Sequence, residues 1–108
     1  MFVISQSETY TWPVRVEIPV DGGKFKTETF DGVFARLSRS KIQEILGRED
    51  SSDLDAAKEL LKGWKGVHDD GGEIPFSESA RDKILDVPLV ASAVIKAWIE
   101  SLGGKKKN

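Results

Sequence analysis

The residues best suited to chemistry stand close together in this chain: His68, the sole histidine, with Asp69, Asp70 and Glu73 just after it. Such a set could be drawn as a metal site or as an acid–base pair. Either use needs donors held in fixed positions, and these four lie on a glycine-rich turn. The run Asp69-Asp70-Gly71-Gly72 does not continue into a calcium-loop pattern, because the later acidic ligands are missing at the required spacing. A solvated turn is the better reading. Gly63, Gly66, Gly71 and Gly72 fit neither a dinucleotide fingerprint nor a Walker loop, and no serine sits in a nucleophile elbow. The chain has no cysteine, which excludes disulfides, thiolate metal sites and thiol nucleophiles. The residues thus supply no recognisable catalytic constellation, and no cofactor or metal is expected.

That turn joins two halves of different periodicity. From Tyr10 to Val20 the sequence alternates, with Tyr10, Trp12, Val14, Val16, Ile18 and Val20 on one face. This is the pattern of a half-buried strand. Pro13 and Pro19 cannot donate to a ladder, so an edge position is expected. Asp21-Gly22-Gly23 supplies the positive φ of a tight hairpin, and a second strand runs from Lys24 to about Leu37. Phe25 conflicts in parity with Phe30 and Phe34, which a bulge at Gly32 would resolve. Phe2-Val3-Ile4 is a candidate short strand.

The period then becomes helical. Ser38 is an N-cap, Leu37 and Ile42 have staple spacing, and Gly47 closes a short helix. After a polar linker, Ser52 starts a helix with Leu54, Ala57, Leu61 and Trp64 on one face, breaking between Gly63 and Gly66. Ser77 caps a third helix, and Asp86-Val87-Pro88 begins a terminal one, with Pro88 near its first position. That helix carries Leu89, Val90, Ala93, Val94, Ala97 and Trp98 and stops at Gly103-Gly104. Strands followed by helices make the fold class α+β: a β-rich stretch 1–37, a mainly helical stretch 38–104 with a turn or hairpin near 64–76, and a disordered basic tail 105–108, in one domain.

The bulk composition agrees. With 108 residues, 39% hydrophobic and 31% charged, the chain is sized for a single domain that buries roughly two thirds of its unfolded surface. A net charge of −2 provides no basic field for nucleic acid. Arg36, Arg39, Lys41 and Arg48 are balanced by Asp50, Asp53 and Asp55. A helix-turn-helix over Ser38 to Trp64 fails on its long joint and acidic second helix. No signal peptide is visible, and Lys96 and Glu100 interrupt the longest apolar stretch, so the expectation is an intracellular protein with no membrane partner. Trp12, Trp64 and Trp98 each fall on the apolar face of an element, which favours core packing, with Trp64 placed to serve both core and surface.

From Gly63-Trp64-Lys65-Gly66-Val67 through Asp70-Gly71-Gly72-Glu73-Ile74-Pro75-Phe76-Ser77, the chain resembles the tail assembly chaperones of long-tailed bacteriophages. The break at Leu85-Asp86-Val87-Pro88, the terminal helix and the upstream Phe34-Ala35-Arg36-Leu37-Ser38 are similar as well. The resemblance covers about residues 28–108. It implies a non-enzymatic protein of the bacterial host cytoplasm, absent from the mature virion. Its clients would be the tape-measure protein and the tail-tube protein, kept soluble until the tail polymerises. It also implies a frameshifted longer form of the chain, which a slippery codon run at Gly103 to Lys107 would permit. Client contacts are expected on the edge strand from Thr11 to Val20 or on the terminal helix, whose Val87, Val94, Ile95 and Ile99 widen its apolar arc for partner or homo-oligomer contacts. With Trp64 and Phe76, these are the candidate contact residues. Two alternatives stay open: a phage structural component such as a head–tail connector or tail-terminator subunit, and a small regulatory nucleic-acid-binding module using Lys105 to Lys107.

Overall fold

The computed structural model describes residues 2–4, 6–48 and 52–104; the lysine tail and part of the polar linker lie outside them. The fold is α+β. Strands β1 (Thr9–Val20) and β2 (Lys24–Ala35) form a long antiparallel hairpin, and β3 (Leu61–Lys65) pairs with the end of β2, giving the order β1-β2-β3. Helices α1 (Arg39–Leu46), α2 (Asp53–Leu60), α3 (Glu78–Leu85) and α4 (Val90–Ile99) complete it, with a two-stranded ribbon, β4 (His68–Asp69) and β5 (Gly72–Glu73), ahead of α3. A wide π-type turn over Glu100–Gly104 follows α4 and is broken by Gly103 at φ 88°.

The hairpin turn uses Gly22 and Gly23, with φ of 86° and 74°, as tight reversal requires. The β1–β2 register is unbroken from Thr9↔Ala35 to Val20↔Lys24, so the expected bulge at Gly32 is absent. Phe25 simply lies on the outer face, 63% exposed, and its parity needs no correction. The irregularity sits in the neighbouring pair. There Val33 opposes Gly63 but Phe34 opposes Leu61, so Lys62 is the extra residue on β3. β1 is an edge strand, as its prolines require.

Leu61 to Trp64 is strand rather than the end of a helix. Serine 52 caps α2 by accepting from the Asp55 N–H at 3.3 Å, but the helix stops at Leu60. Leu61, Gly63 and Trp64 fit both a helical stripe and a half-buried strand, and pairing with β2 decides for the strand. Phe2, Val3 and Ile4 form no strand and are exposed. The α4 helix starts at Val90, two residues beyond Pro88, because Leu89 adopts a left-handed φ of 77°. Ser38 and Ser77 cap α1 and α3 through the Lys41 and Ala80 N–H groups.

Val14, Phe34, Leu60, Leu61, Val94 and Trp98 are the largest fully buried side chains, so strands and helices share one core. The α4 helix packs across β1 and against α2. The hairpin outruns this core: beyond Val16, only Ile18 is half-buried until Phe30. A twelve-residue strand spans about 40 Å, in keeping with a long axis of 47 Å against 32 and 31 Å for the others. No helix among the described residues is long and apolar enough to cross a membrane.

Candidate functional site

The Gly63–Ser77 segment is an ordered scaffold. Trp64 is buried and its Nε1–H donates to the Ile74 carbonyl at 2.8 Å. Its ring meets Phe76 edge-on at 4.9 Å and Phe30 edge-on at 6.4 Å, the arrangement that ring quadrupoles favour. Ile74 N–H returns to the Val67 carbonyl at 2.8 Å, and Asp69 Oδ1 accepts from Gly71 N–H at 2.8 Å. His68 faces Glu73 across the β4–β5 ribbon, and both are exposed. Among the described residues no group of three or more His, Cys, Asp or Glu side chains converges as metal ligands would.

The candidate contact residues therefore separate. Trp64 and Val94 belong to the core, at 7% and 0% exposure, and offer a partner almost nothing. Phe76 is half-buried against Trp64. Val87 and Ile99 are exposed, and Ile95 is half-buried. Helical geometry explains the division within α4. Val90, Val94, Ala97 and Trp98 make the buried face, whereas Ala91, Ile95 and Ile99, spaced by four, lie along an adjoining flank. Leu102 continues that flank one turn later and is 39% exposed. Val87 and Leu89, also exposed, stand just ahead of α4. Of the flank, Ile99 and Leu102 are exposed, and Ala91 and Ile95 are half-buried against the core.

The flank opens at Leu102 onto a cleft of about 380 Å³ walled chiefly by Tyr10, Trp12, Leu37, Ile42 and Trp98. The Tyr10 hydroxyl and Ser101 Oγ share a hydrogen bond at 2.7 Å, and Ser101 Oγ also donates to the Trp98 carbonyl at 2.6 Å. The Arg36 guanidinium lies 5.0 Å from the Tyr10 ring centroid while its Nε–H donates to the Ser7 carbonyl at 2.9 Å. Sequence reasoning did not identify this cleft. It joins residues 91 positions apart, and no local pattern carries that contact.

The basic region at α1 is neutralised differently from expectation. Arg48 binds Glu44 with two parallel bonds, Nε to Oε2 at 2.8 Å and Nη2 to Oε1 at 2.9 Å, and also reaches Glu59. Lys41 adds contacts to both acids. Glu44 and Glu59 are thus the partners rather than Asp53 or Asp55, and Asp50 lies outside the described residues. Hydrogen bonds from Arg48 and then Lys41 hold the Glu44 carboxyl down at about 2, and the same Arg48 lowers Glu59. The i,i+4 spacing of Glu44 and Arg48 is the sequence signal for half of this network. It fastens α1 to α2.

No family model matches this chain, no curated protein matches it, and no solved structure matches it.

Proposed function

We propose that this protein is a bacteriophage tail assembly chaperone that binds an amphipathic helical client, the tape-measure protein, and keeps it soluble until the tail polymerises. The apolar flank of α4 carries this reading. Ile99 and Leu102 are exposed and Ala91 and Ile95 half-buried beside them, while the opposite face of the same helix completes the core. A client helix with its own apolar stripe could bury that row and extend a side chain into the adjoining aromatic cleft. The ordered Gly63–Ser77 segment, on which the family resemblance rests, supports the reading indirectly by fixing β3 and α3 around Trp64. Tail-tube subunits are a second client class in the same proposal, and the site of action is the bacterial host cytoplasm.

Co-expression with a tape-measure protein is the test. The client should move to the soluble fraction and co-purify with the chain, and Ile99→Asp with Leu102→Asp should abolish both effects while leaving the fold intact. A client that stays insoluble and does not co-purify with the wild-type chain would contradict the proposal. No particular observation favours a connector or a nucleic-acid module.

A further inference from the structure

The hairpin arm has two unlike edges. The Arg36 N–H donates to the Glu8 carbonyl at 2.8 Å, in register with Thr9↔Ala35, so the even-numbered residues of β1 exchange hydrogen bonds with β2. The odd-numbered residues of β1 then point their backbone groups to its outer edge. Pro13 and Pro19 are odd, so that edge lacks donors at both and resists strand addition. On β2 the same alternation turns Phe25, Thr27 and Thr29 away from β1. Pairing with β3 covers β2 only from Asp31 to Phe34. Among the described residues, nothing pairs with the outer edge of β2 from Lys24 to Phe30.

This open edge is complementary to itself. We infer that two copies of the chain pair antiparallel along β2, with the two-fold axis at Thr27. Thr27 then faces Thr27 of the second copy and Phe25 faces Thr29, each pair exchanging two backbone hydrogen bonds. The intervening pair sets Lys26 against Glu28 in both directions. Opposite charges directly across a strand pair are stabilising, and a two-fold interface repeats each such contact. Lys26 and Glu28 already share one face, 2.9 Å apart and largely exposed, so the pairing forms a square of alternating charges. Gly66, beside Phe30, limits the added strand to Phe25–Thr29. The product is a continuous sheet in which each arm, a two-stranded ribbon that is marginal alone in water, gains a neighbour. This inference does not depend on the chaperone reading.

Sedimentation velocity over a concentration series, with three variants, tests it. The wild-type chain should associate to a dimer. Lys26→Glu should weaken association about tenfold, since both cross-strand pairs become repulsive. Combining it with Glu28→Lys should restore association, because the exchanged charges complement each other again. The chain has no cysteine, so Thr27→Cys supplies a single thiol at the axis. Directly opposed residues of a hydrogen-bonded pair have Cα atoms about 5.5 Å apart, within disulfide range. Mild oxidation should therefore cross-link Thr27→Cys and not Ser79→Cys, whose position on α3 is exposed. A chain that stays monomeric at millimolar concentration, or cross-linking no faster at position 27 than at 79, would overturn the inference. So would loss of association in Lys26→Glu that Glu28→Lys fails to restore.

Discussion

Trp64 stands at the centre of the segment that resembles a family, yet its place is the core, and substitution there separates a structural role from a client contact. Replacing it with Phe keeps an aromatic ring against Phe76 and Phe30 but removes the Nε1–H bond to Ile74, 2.8 Å long in the native fold. Losing that bond costs about 1 kcal/mol and leaves a partly buried carbonyl without its donor. The smaller ring adds a void worth about 1 kcal/mol at ~24 cal/mol per Å³. The expected loss for Trp64→Phe is thus about 2 kcal/mol. Trp64→Ala also forfeits the ring burial and both edge-on contacts, for about 4 kcal/mol. In a domain of this size each 1 kcal/mol lowers the melting temperature by about 4–8 °C. Urea denaturation of the three proteins gives the free energies directly. The folded fraction of Trp64→Phe should bind client as the wild type does, because the side chain is only 7% exposed. A loss below about 0.5 kcal/mol in Trp64→Phe would mean that the Trp64–Ile74 bond is not structural, and client binding lost without loss of stability would make Trp64 a client contact.

Gly32 is buried where β2 crosses the core, and a Cβ there would lie 3.1 Å from both Phe34 and Val14 and 3.3 Å from Leu61. Gly32→Ala should therefore cost about 1–3 kcal/mol in chemical denaturation. Leu89 holds a left-handed φ of 77° ahead of α4. Leu89→Val should cost about 1 kcal/mol or more, since a β-branched side chain suits that conformation least, whereas Leu89→Asn should be near neutral. The Glu44 carboxyl titrates at about 2 in the folded chain against an ordinary 4.5. Its folded value is the lower one, so its contribution is complete above the ordinary value and is lost as pH falls toward the folded one. The melting-temperature gap between the wild type and Glu44→Gln should be constant above about pH 5 and should narrow toward about pH 2. A gap that widens on acidification would be the wrong sign.

Local chemistry made much of the fold legible. Ser38, Ser52 and Ser77 cap the helices assigned to them, the two turn glycines take positive φ, and the prolines of β1 mark an edge. The failures occur where two patterns coincide or where distant residues decide. Leu61 and Trp64 suit a helical stripe and a strand equally, and only the edge of β2 selects between them. Phe25 calls for a bulge only if one face is buried along the whole strand, and the arm projects past the core. In α4, apolar residues on the buried face and on the open flank look alike in sequence. Val94 and Ile95 are neighbours, and the packing of α4 on β1 and α2 sends one inward and leaves the other half-open. The aromatic cleft, closed by Tyr10 and Ser101 from opposite ends of the chain, carried no local signal at all.

In the proposed function a helical client lies along the 91–102 flank of α4. Amide chemical-shift mapping of the full chain during titration with a tape-measure segment bearing an apolar helical stripe tests it most directly. Shifts should concentrate at Ala91, Ile95, Ile99 and Leu102 and at the cleft beside Tyr10 and Trp12, with the ribbon from His68 to Glu73 unaffected. Shifts confined to that ribbon, or none with saturating client segment, would contradict it.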